Sequence, residues 1–337
     1  MSDLAAHINE AARRLVQGQL VAFPTETVYG LGADASNPQA VAAIFHTKGR
    51  PTNHPVIVHV APNADLSHWV KQVPPEAKQL IDAFWPGPLT LILPRAASAS
   101  AAVSGGQDTI GIRCPSHPVA QALLKRFAQL KGPEQPAGVA APSANRFGQV
   151  SPTQAQHVRD EFAHLEADAL YILAGGNADV GIESTIIDLS RVGQGAAPVI
   201  LRPGHITAEQ IEAVLGQPLG HNAKTASTPR VSGSLKAHYA PHTPLYLKRR
   251  DQLEDLTDSN AVAVVFDETV QTQAHVYLAP ATAEQYASQL YAMLRQLDEQ
   301  GYSAIYLQQP PQTTEWEAVN DRIGRAAAAF DSARNNA

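Results

Sequence analysis

The 337-residue chain exceeds the size at which one hydrophobic core usually stops growing, so two domains are expected. Its 25 basic residues against 31 acidic ones give a formal charge of −6, which argues against a surface that grips nucleic acid along its length. The single cysteine, Cys114, excludes an intramolecular disulfide and a zinc site built on Cys-x-x-Cys pairs, and fits a cytoplasmic location.

Leu4, Ile8, Leu15 and Val16 recur at helical intervals broken by Glu10, Arg13 and Arg14, the pattern of an amphipathic helix and unlike a secretory signal. No apolar run approaches the roughly 20 residues that span a bilayer, and no membrane partner is expected. Leu20-Val21-Ala22-Phe23 reads as a short buried strand stopped by Pro24, which has no N–H to give a sheet. A helix over 38–47, a strand over 55–60, a helix over 75–83 and a strand over 89–93 follow. Further strands are expected at 109–113, 139–141, 169–173 and 184–188, with helices near 118–129 and 153–162. The alternation describes an α/β domain with a mixed or twisted sheet over residues 1–215.

Between 216 and 245 the pattern lapses into Gly, Pro, Ser, Thr and His, including Ser227-Thr228-Pro229-Arg230-Val231-Ser232-Gly233-Ser234, the composition of a linker. Beyond it strand and helix alternate again: 261–266, 274–278, a helix over 282–300, a strand over 303–307 and a helix over 315–330. Residues 246–337 therefore read as a smaller Rossmann-like domain. No G-x-G-x-x-G loop follows any of its strands, so no dinucleotide is assigned to it.

Polar residues gather where strands end. Thr25-Glu26-Thr27 follows a buried strand, and Gly30 and Gly32 would let backbone approach a ligand, yet the same residues make an ordinary helix cap and turn. Lys48-Gly49-Arg50-Pro51 suits a helix C-terminus, but with Thr52-Asn53-His54 and His59 it also places two cations and two imidazoles about one short loop that could hold a polyphosphate. His59 equally fits a satisfied core histidine. Trp85-Pro86-Gly87-Pro88 reads as an architectural turn. Arg113 closes a buried strand and should pair with an anion, either an internal carboxylate or a substrate's. Cys114 reads as a buried structural thiol rather than a nucleophile. Ala141-Pro142-Ser143-Ala144-Asn145 with Ser151-Pro152-Thr153 offers hydroxyls, an amide and a helix start, while Gly181-Ile182-Glu183-Ser184-Thr185 and Leu201-Arg202-Pro203-Gly204 put further polar groups at strand ends. There is no P-loop, no H-E-x-x-H and no nucleophile elbow, so the inventory suits catalysis by positioning and charge more than by a covalent nucleophile.

Taken together, Phe23-Pro24-Thr25-Glu26-Thr27-Val28-Tyr29-Gly30-Leu31-Gly32, Lys48-Gly49-Arg50-Pro51, Trp85-Pro86-Gly87-Pro88, Ala141-Pro142-Ser143-Ala144-Asn145, Gly181-Ile182-Glu183-Ser184-Thr185 and Arg202-Pro203-Gly204 closely resemble the threonylcarbamoyl-AMP synthases with a YrdC-like domain. Lys236-Ala237-His238-Tyr239-Ala240-Pro241 and the α/β tail resemble the longer, two-domain branch. The resemblance implies a YrdC-like twisted mixed sheet, and a reaction of L-threonine, bicarbonate or carbon dioxide, and ATP with magnesium, giving threonylcarbamoyl-AMP and pyrophosphate. A downstream tRNA threonylcarbamoyl transferase complex would pass the group to tRNA. By the same resemblance, Thr27, His59, Arg113, Ala141 and Ser184 would surround threonine, with Arg113 clamping its carboxylate. Lys48, Arg50, His54, Thr109, Ser143, Asn145, Ser151 and Arg202 would surround ATP, and Lys236, His238 and Tyr239 would belong to a lid. No protein side chain is assigned to a metal. An RNA-binding module of the same pathway is the competing reading, disfavoured by overall acidity and by the lack of a basic and aromatic stripe. The carbamoyl-transfer unit of hydrogenase maturation, which carries zinc-binding cysteine pairs, is excluded by the lone Cys114.

Overall fold

The computed structural model describes residues 2–166, 168–222 and 228–334, so positions 223–227 of the expected linker, Ser227 among them, lie outside the described residues. The chain forms two compact units. The first comprises Met1–Phe147, Pro152–Asp179 and Glu183–Ser234; the second comprises Gly148–Ser151, Val180–Ile182 and Leu235–Ala337.

The first unit runs α1 (Ser2–Val16), β1 (Leu20–Phe23), β2 (Gly30–Asp34), α2 (Pro38–Lys48), β3 (Ile57–His59), α3 (Pro75–Phe84), β4 (Leu89–Pro94), α4 (Ala101–Ser104), β5 (Thr109–Arg113), α5 (Pro118–Lys131), β6 (Val139–Ala140), α6 (Ala155–Glu161), β7 (Leu170–Ile172), β8 (Thr185–Asp188), β9 (Val199–Arg202) and α7 (Ala208–Leu215). Its nine strands form one mixed sheet in the order β7-β1-β2-β6-β3-β5-β4-β8-β9. The two-residue period of a strand divides its side chains between two environments. Leu31, Ala33, Val58, Leu89, Leu91, Leu93, Ile110, Ile112 and Ile187 enter one large core cluster with Ile44 and Phe45 of α2 and Leu80 of α3. The opposite set behaves differently along the sheet. At one side Val21, Phe23 and Val139 pack under Leu15 of α1 and Leu123 and Phe127 of α5. At the other side the alternate positions are Ile57 and His59, Thr90 and Ile92, and Thr109, Gly111 and Arg113, a face carrying both polar groups and a small apolar cluster of Ile92, Ile186, Leu201 and Val231.

Strand β2 is not among the expected elements, because two glycines in five residues argue against a strand on propensity. The space explains them. A Cβ at Gly32 would lie 2.8 Å from the Phe23 ring and 2.9 Å from Val139 Cγ1, and one at Gly30 would lie 3.2 Å from Ala141 Cβ. The glycines make room for Phe23 and the neighbouring strand, which corrects their reading as a close approach to ligand. Helix α7 was also unexpected, although Thr207 and Gln210 form its capping box.

The second unit contains β10 (Leu245–Lys248), α8 (Arg250–Glu254), β11 (Val262–Val265), β12 (His275–Leu278), α9 (Ala283–Glu299), β13 (Ile305–Gln308) and α10 (Glu317–Arg334). Its sheet is all parallel, in the order β10-β13-β11-β12. This matches a small Rossmann-like domain, whose edge strand β10, not among the expected strands, begins at the last residue of the segment read as linker. None of the helices is long and apolar enough to cross a membrane among the described residues.

Candidate active site

Strands β3 and β5 are parallel, and their register sets His59 directly beside Arg113 at their C-terminal ends. The loop after β1 reaches the same place. Thr25 Oγ1 accepts from the Thr27 and Val28 N–H groups at 3.3 and 3.2 Å and donates to the Val28 carbonyl at 2.6 Å, a tight turn fixed by its own hydroxyl. That turn aims Thr27, fully buried, so that its Oγ1 accepts from Arg113 Nη1 at 2.8 Å and sits 2.9 Å from Thr25 Oγ1.

Glu26 faces the same guanidinium. Arg113 Nη2 lies 2.7 Å from Glu26 Oε1, with both side chains over nine-tenths buried. Yet neither carboxylate oxygen of Glu26, nor Arg113 Nη2, completes a hydrogen bond of normal side-chain geometry. Burial, the largest single influence, would raise the Glu26 carboxyl; the charge and hydrogen bonding of Arg113, together with the backbone N–H groups of Glu26 and Ser116, outweigh it and hold the group below its usual range. Of the two anions that sequence left open for Arg113, the internal one is present.

His59 is also buried and its Nδ1 completes no hydrogen bond. Burial first, and then the Arg113 charge, push its pKa down to about 3, so the ring is neutral at physiological pH. Unfolded, this imidazole would take up a proton near pH 6.5; folded, it resists until about 3, and the stability it contributes above 6.5 is lost as pH falls through that window. Denaturant unfolding from pH 7 to 4 should show the wild type losing up to about 1.4 kcal/mol per pH unit more than His59→Asn. Equal slopes for the two proteins would show that His59 does not titrate this way. Cys114, next to Arg113, is pushed up to about 11 by burial and by the Glu26 carboxylate, and is not a nucleophile at neutral pH.

A second cluster of cations stands on the same unit. Lys48, fully enclosed at the end of α2, donates to the carbonyls of Ser143, at 2.6 Å, and of Asn145. Burial, with the charge of Arg50 adding to it, drives its pKa well below the usual lysine value. Gly49 takes the left-handed conformation at φ 60° that closes α2, and turns the chain toward Arg50. Arg50 Nη2 donates to the Pro55 carbonyl at 2.8 Å and to Ser232 Oγ at 3.2 Å, and its guanidinium lies 5.7 Å from the Phe147 ring centre. His54 meets that ring edge-on at 5.3 Å, with its pKa lowered by burial and by Arg50 and Arg230. Ser143 bridges to Gly30, Asn145 donates to the Arg146 carbonyl at 2.7 Å, and the Ala141 N–H donates to the Ile57 carbonyl at 3.0 Å.

At the far strands, Ser184 Oγ and Thr90 Oγ1 share a hydrogen bond of 2.7 Å. Arg202 Nη2 donates to the Ser184 carbonyl at 2.7 Å and its Nη1 to the Ser232 carbonyl at 2.9 Å. Ser232 thus touches both Arg50 and Arg202. Residues 230–232 are held by Gln107, whose amide exchanges hydrogen bonds with the Arg230 backbone at 2.7 and 3.1 Å, and by Val231 packed on Ile92 and Ile186. Thr109 begins β5 on this face.

Two groups therefore assemble: Thr27, His59 and Arg113 in one, and Arg50, His54 and Arg202 in the other, with Lys48 fastening the Ser143 and Asn145 loop; Ser184, expected beside threonine, is hydrogen-bonded to Thr90 and Arg202. Ser151, Lys236, His238 and Tyr239 belong to the second unit. There Lys236 is exposed, while His238 and Tyr239 are buried, Tyr239 at φ 63° stacked on Tyr291 at 5.7 Å and lying 5.5 Å from Arg322. Sequence reasoning noted Glu26 at a strand end without giving it a role, and gave none to Thr90 or Ser232. Glu26 was visible as a carboxylate just past a buried strand; nothing in sequence marks Ser232, since a serine in a loop is unremarkable until its partners are known.

Residues 13–204 match the family described as Telomere recombination, and residues 206–328 match the family described as Threonylcarbamoyl-AMP synthase, C-terminal domain. The chain is 37% identical over 335 residues to the threonylcarbamoyl-AMP synthase of Pyrococcus abyssi, covering 95% of this chain and 94% of that one. It is 39% identical over 340 residues to the threonylcarbamoyl-AMP synthase of Bacillus subtilis, covering 95% and 92%. Its fold superposes on a crystal structure of P. abyssi Sua5 complexed with L-threonine with a TM-score of 0.83, at 35% identity, over 95% of this chain and 94% of that one. With two family models in sequence along its length and relatives of this identity end to end, the chain belongs to the threonylcarbamoyl-AMP synthase family in its two-domain form.

Proposed function

We propose that the chain condenses L-threonine, carbon dioxide or bicarbonate, and ATP into threonylcarbamoyl-AMP, releasing pyrophosphate, and that the product serves threonylcarbamoyl transfer to tRNA. The observation that carries this reading is Arg113: a buried guanidinium beside a threonine hydroxyl and a neutral imidazole, facing a carboxylate to which it is not fully bonded. Such a fork suits the planar, two-oxygen head of an α-amino acid. The relative solved with L-threonine supports the choice of amino acid.

The nucleotide falls to the second group, where Arg50 and Arg202 would meet phosphate oxygens. The carbamate oxygen attacks the α-phosphorus and pyrophosphate leaves, a transfer that depends on positioning and on neutralising developing charge rather than on a protein nucleophile. Magnesium would supply charge neutralisation on the phosphates.

Pyrophosphate release should require threonine and bicarbonate together. Equal rates with serine, or with no amino acid, would defeat the substrate assignment.

A further inference from the structure

Glu26 is not accounted for by the roles above. It is a buried carboxylate held below its usual pKa by the Arg113 guanidinium with help from the backbone N–H groups of Glu26 and Ser116, and neither of its oxygens completes a side-chain hydrogen bond of normal geometry. Its one ionic partner, Arg113 at 2.7 Å, is the group that a substrate carboxylate would also engage, so the Glu26 carboxylate stands where an incoming amino acid would place its ammonium. The groups around it leave little choice of partner. Arg113 faces it at 2.7 Å, neutral His59 and the un-ionised thiol of Cys114 lie within its electrostatic reach, and His117, at the start of α5, is acted on by it from the other side. None of these but Arg113 offers a cation at neutral pH.

An α-amino acid carries one carboxylate and one ammonium on the same carbon, and the Glu26–Arg113 pair offers the complementary charges side by side. We propose that the amino-acid substrate exchanges partners with this ion pair, its carboxylate taking Arg113 and its ammonium taking Glu26, and that Glu26 then removes the ammonium proton that blocks attack on carbon dioxide. The inference rests on the amino-acid carbamoylation proposed above and names its base.

The step balances as follows. Glu26 carboxylate takes one proton from the R–NH3 cation, giving the carboxylic acid and a free amine. The amine lone pair forms the C–N bond to carbon dioxide as one C=O pair moves to oxygen, and the second N–H proton leaves to solvent, giving the carbamate. Glu26 returns its proton to solvent when product departs and Arg113 is regained. The exchange also prepares the base. Once a substrate carboxylate neutralises Arg113, the charge that depresses Glu26 is offset and burial, which raises it, remains.

The test compares wild type, Glu26→Gln and Glu26→Asp in threonine-dependent pyrophosphate release from pH 6.5 to 9, at saturating ATP and fixed dissolved carbon dioxide. Glu26→Gln should lose at least about 100-fold at pH 7 relative to wild type, and recover about tenfold per pH unit as solution supplies the free amine. Glu26→Asp should be slower than wild type but follow its pH profile. Glu26→Gln at the wild-type rate, or slowed equally at every pH, overturns the proposal. A measurement on the wild type alone covers a variant that does not fold: 3-hydroxybutanoate, which lacks the amine, should bind about 100-fold more weakly than threonine because it strands Glu26, and binding equal to threonine also overturns it. If wild type neither binds threonine nor releases pyrophosphate with it, the proposed function fails instead.

Discussion

Arg113→Ala should abolish threonine-dependent turnover at threonine concentrations that saturate the wild type, with the threonine requirement raised by about 2–4 kcal/mol, or roughly 30-fold to 1000-fold. The substitution removes the only cation 2.7 Å from Glu26 and the donor to Thr27 Oγ1, and leaves a carboxylate nine-tenths buried without its counter-charge. Breaking a buried pair by deleting one partner typically costs about 3–5 kcal/mol, so the variant should also unfold at a lower denaturant concentration. Arg113→Lys separates the two effects. It restores a positive charge, and so much of the stability, but lacks the planar fork that serves Thr27 Oγ1 and a carboxylate together, so the threonine requirement should stay high. Calorimetric titration with threonine, beside urea unfolding, reads both. Threonine binding unchanged in Arg113→Ala would remove Arg113 from the substrate site.

Gly204→Ala should be among the most damaging single methyls in the first unit. A Cβ at that position would stand 2.4 Å from the Thr185 nitrogen, 2.7 Å from the Ser184 carbonyl carbon and 2.8 Å from the Glu183 carbonyl oxygen, all backbone atoms with no rotamer to change. Relief requires β8 to shift, and with it the Ser184 carbonyl that Arg202 grips at 2.7 Å and the Ser184 hydroxyl shared with Thr90. A loss of about 2–4 kcal/mol in urea unfolding is expected, together with a fall in pyrophosphate release larger than that of Gly216→Ala. Gly216 ends α7 at φ 66° with open space around it, so its substitution carries only a backbone conformational cost. If the two variants are equally stable, the close approach at Gly204 is not what fixes that residue.

The distribution of apolar residues made the alternation of strands and helices legible, and motif order made the family legible. What sequence could not show was which face each strand turns to its ligand. Thr109, Gly111 and Arg113 stand on the same side of β5 only because Ile110 and Ile112 enter the core, and that choice needs the helices on the other face. Strand β2 was hidden because glycine disfavours strands, and its glycines answer to the Phe23 ring on the neighbouring strand. The turn at Thr25 to Val28 was legible as a turn, and it is one; its place against Arg113 comes from β5, 86 residues later than Thr27. Val231 and Ser232 were read as linker on composition, whereas Val231 joins a core cluster and Ser232 touches two arginines.

Phe23 has a thermodynamic consequence for the loop it precedes. Its ring fills the space over Gly30 and Gly32, and the Thr25 hydroxyl closes the turn that follows, so Glu26 and Thr27 are immobilised by packing in the folded chain itself. The conformational entropy of ordering that loop is lost once, at folding, and does not recur with each substrate molecule. Affinity at Arg113 is then set by an exchange of charges inside a fixed frame, where enthalpy and desolvation decide the balance.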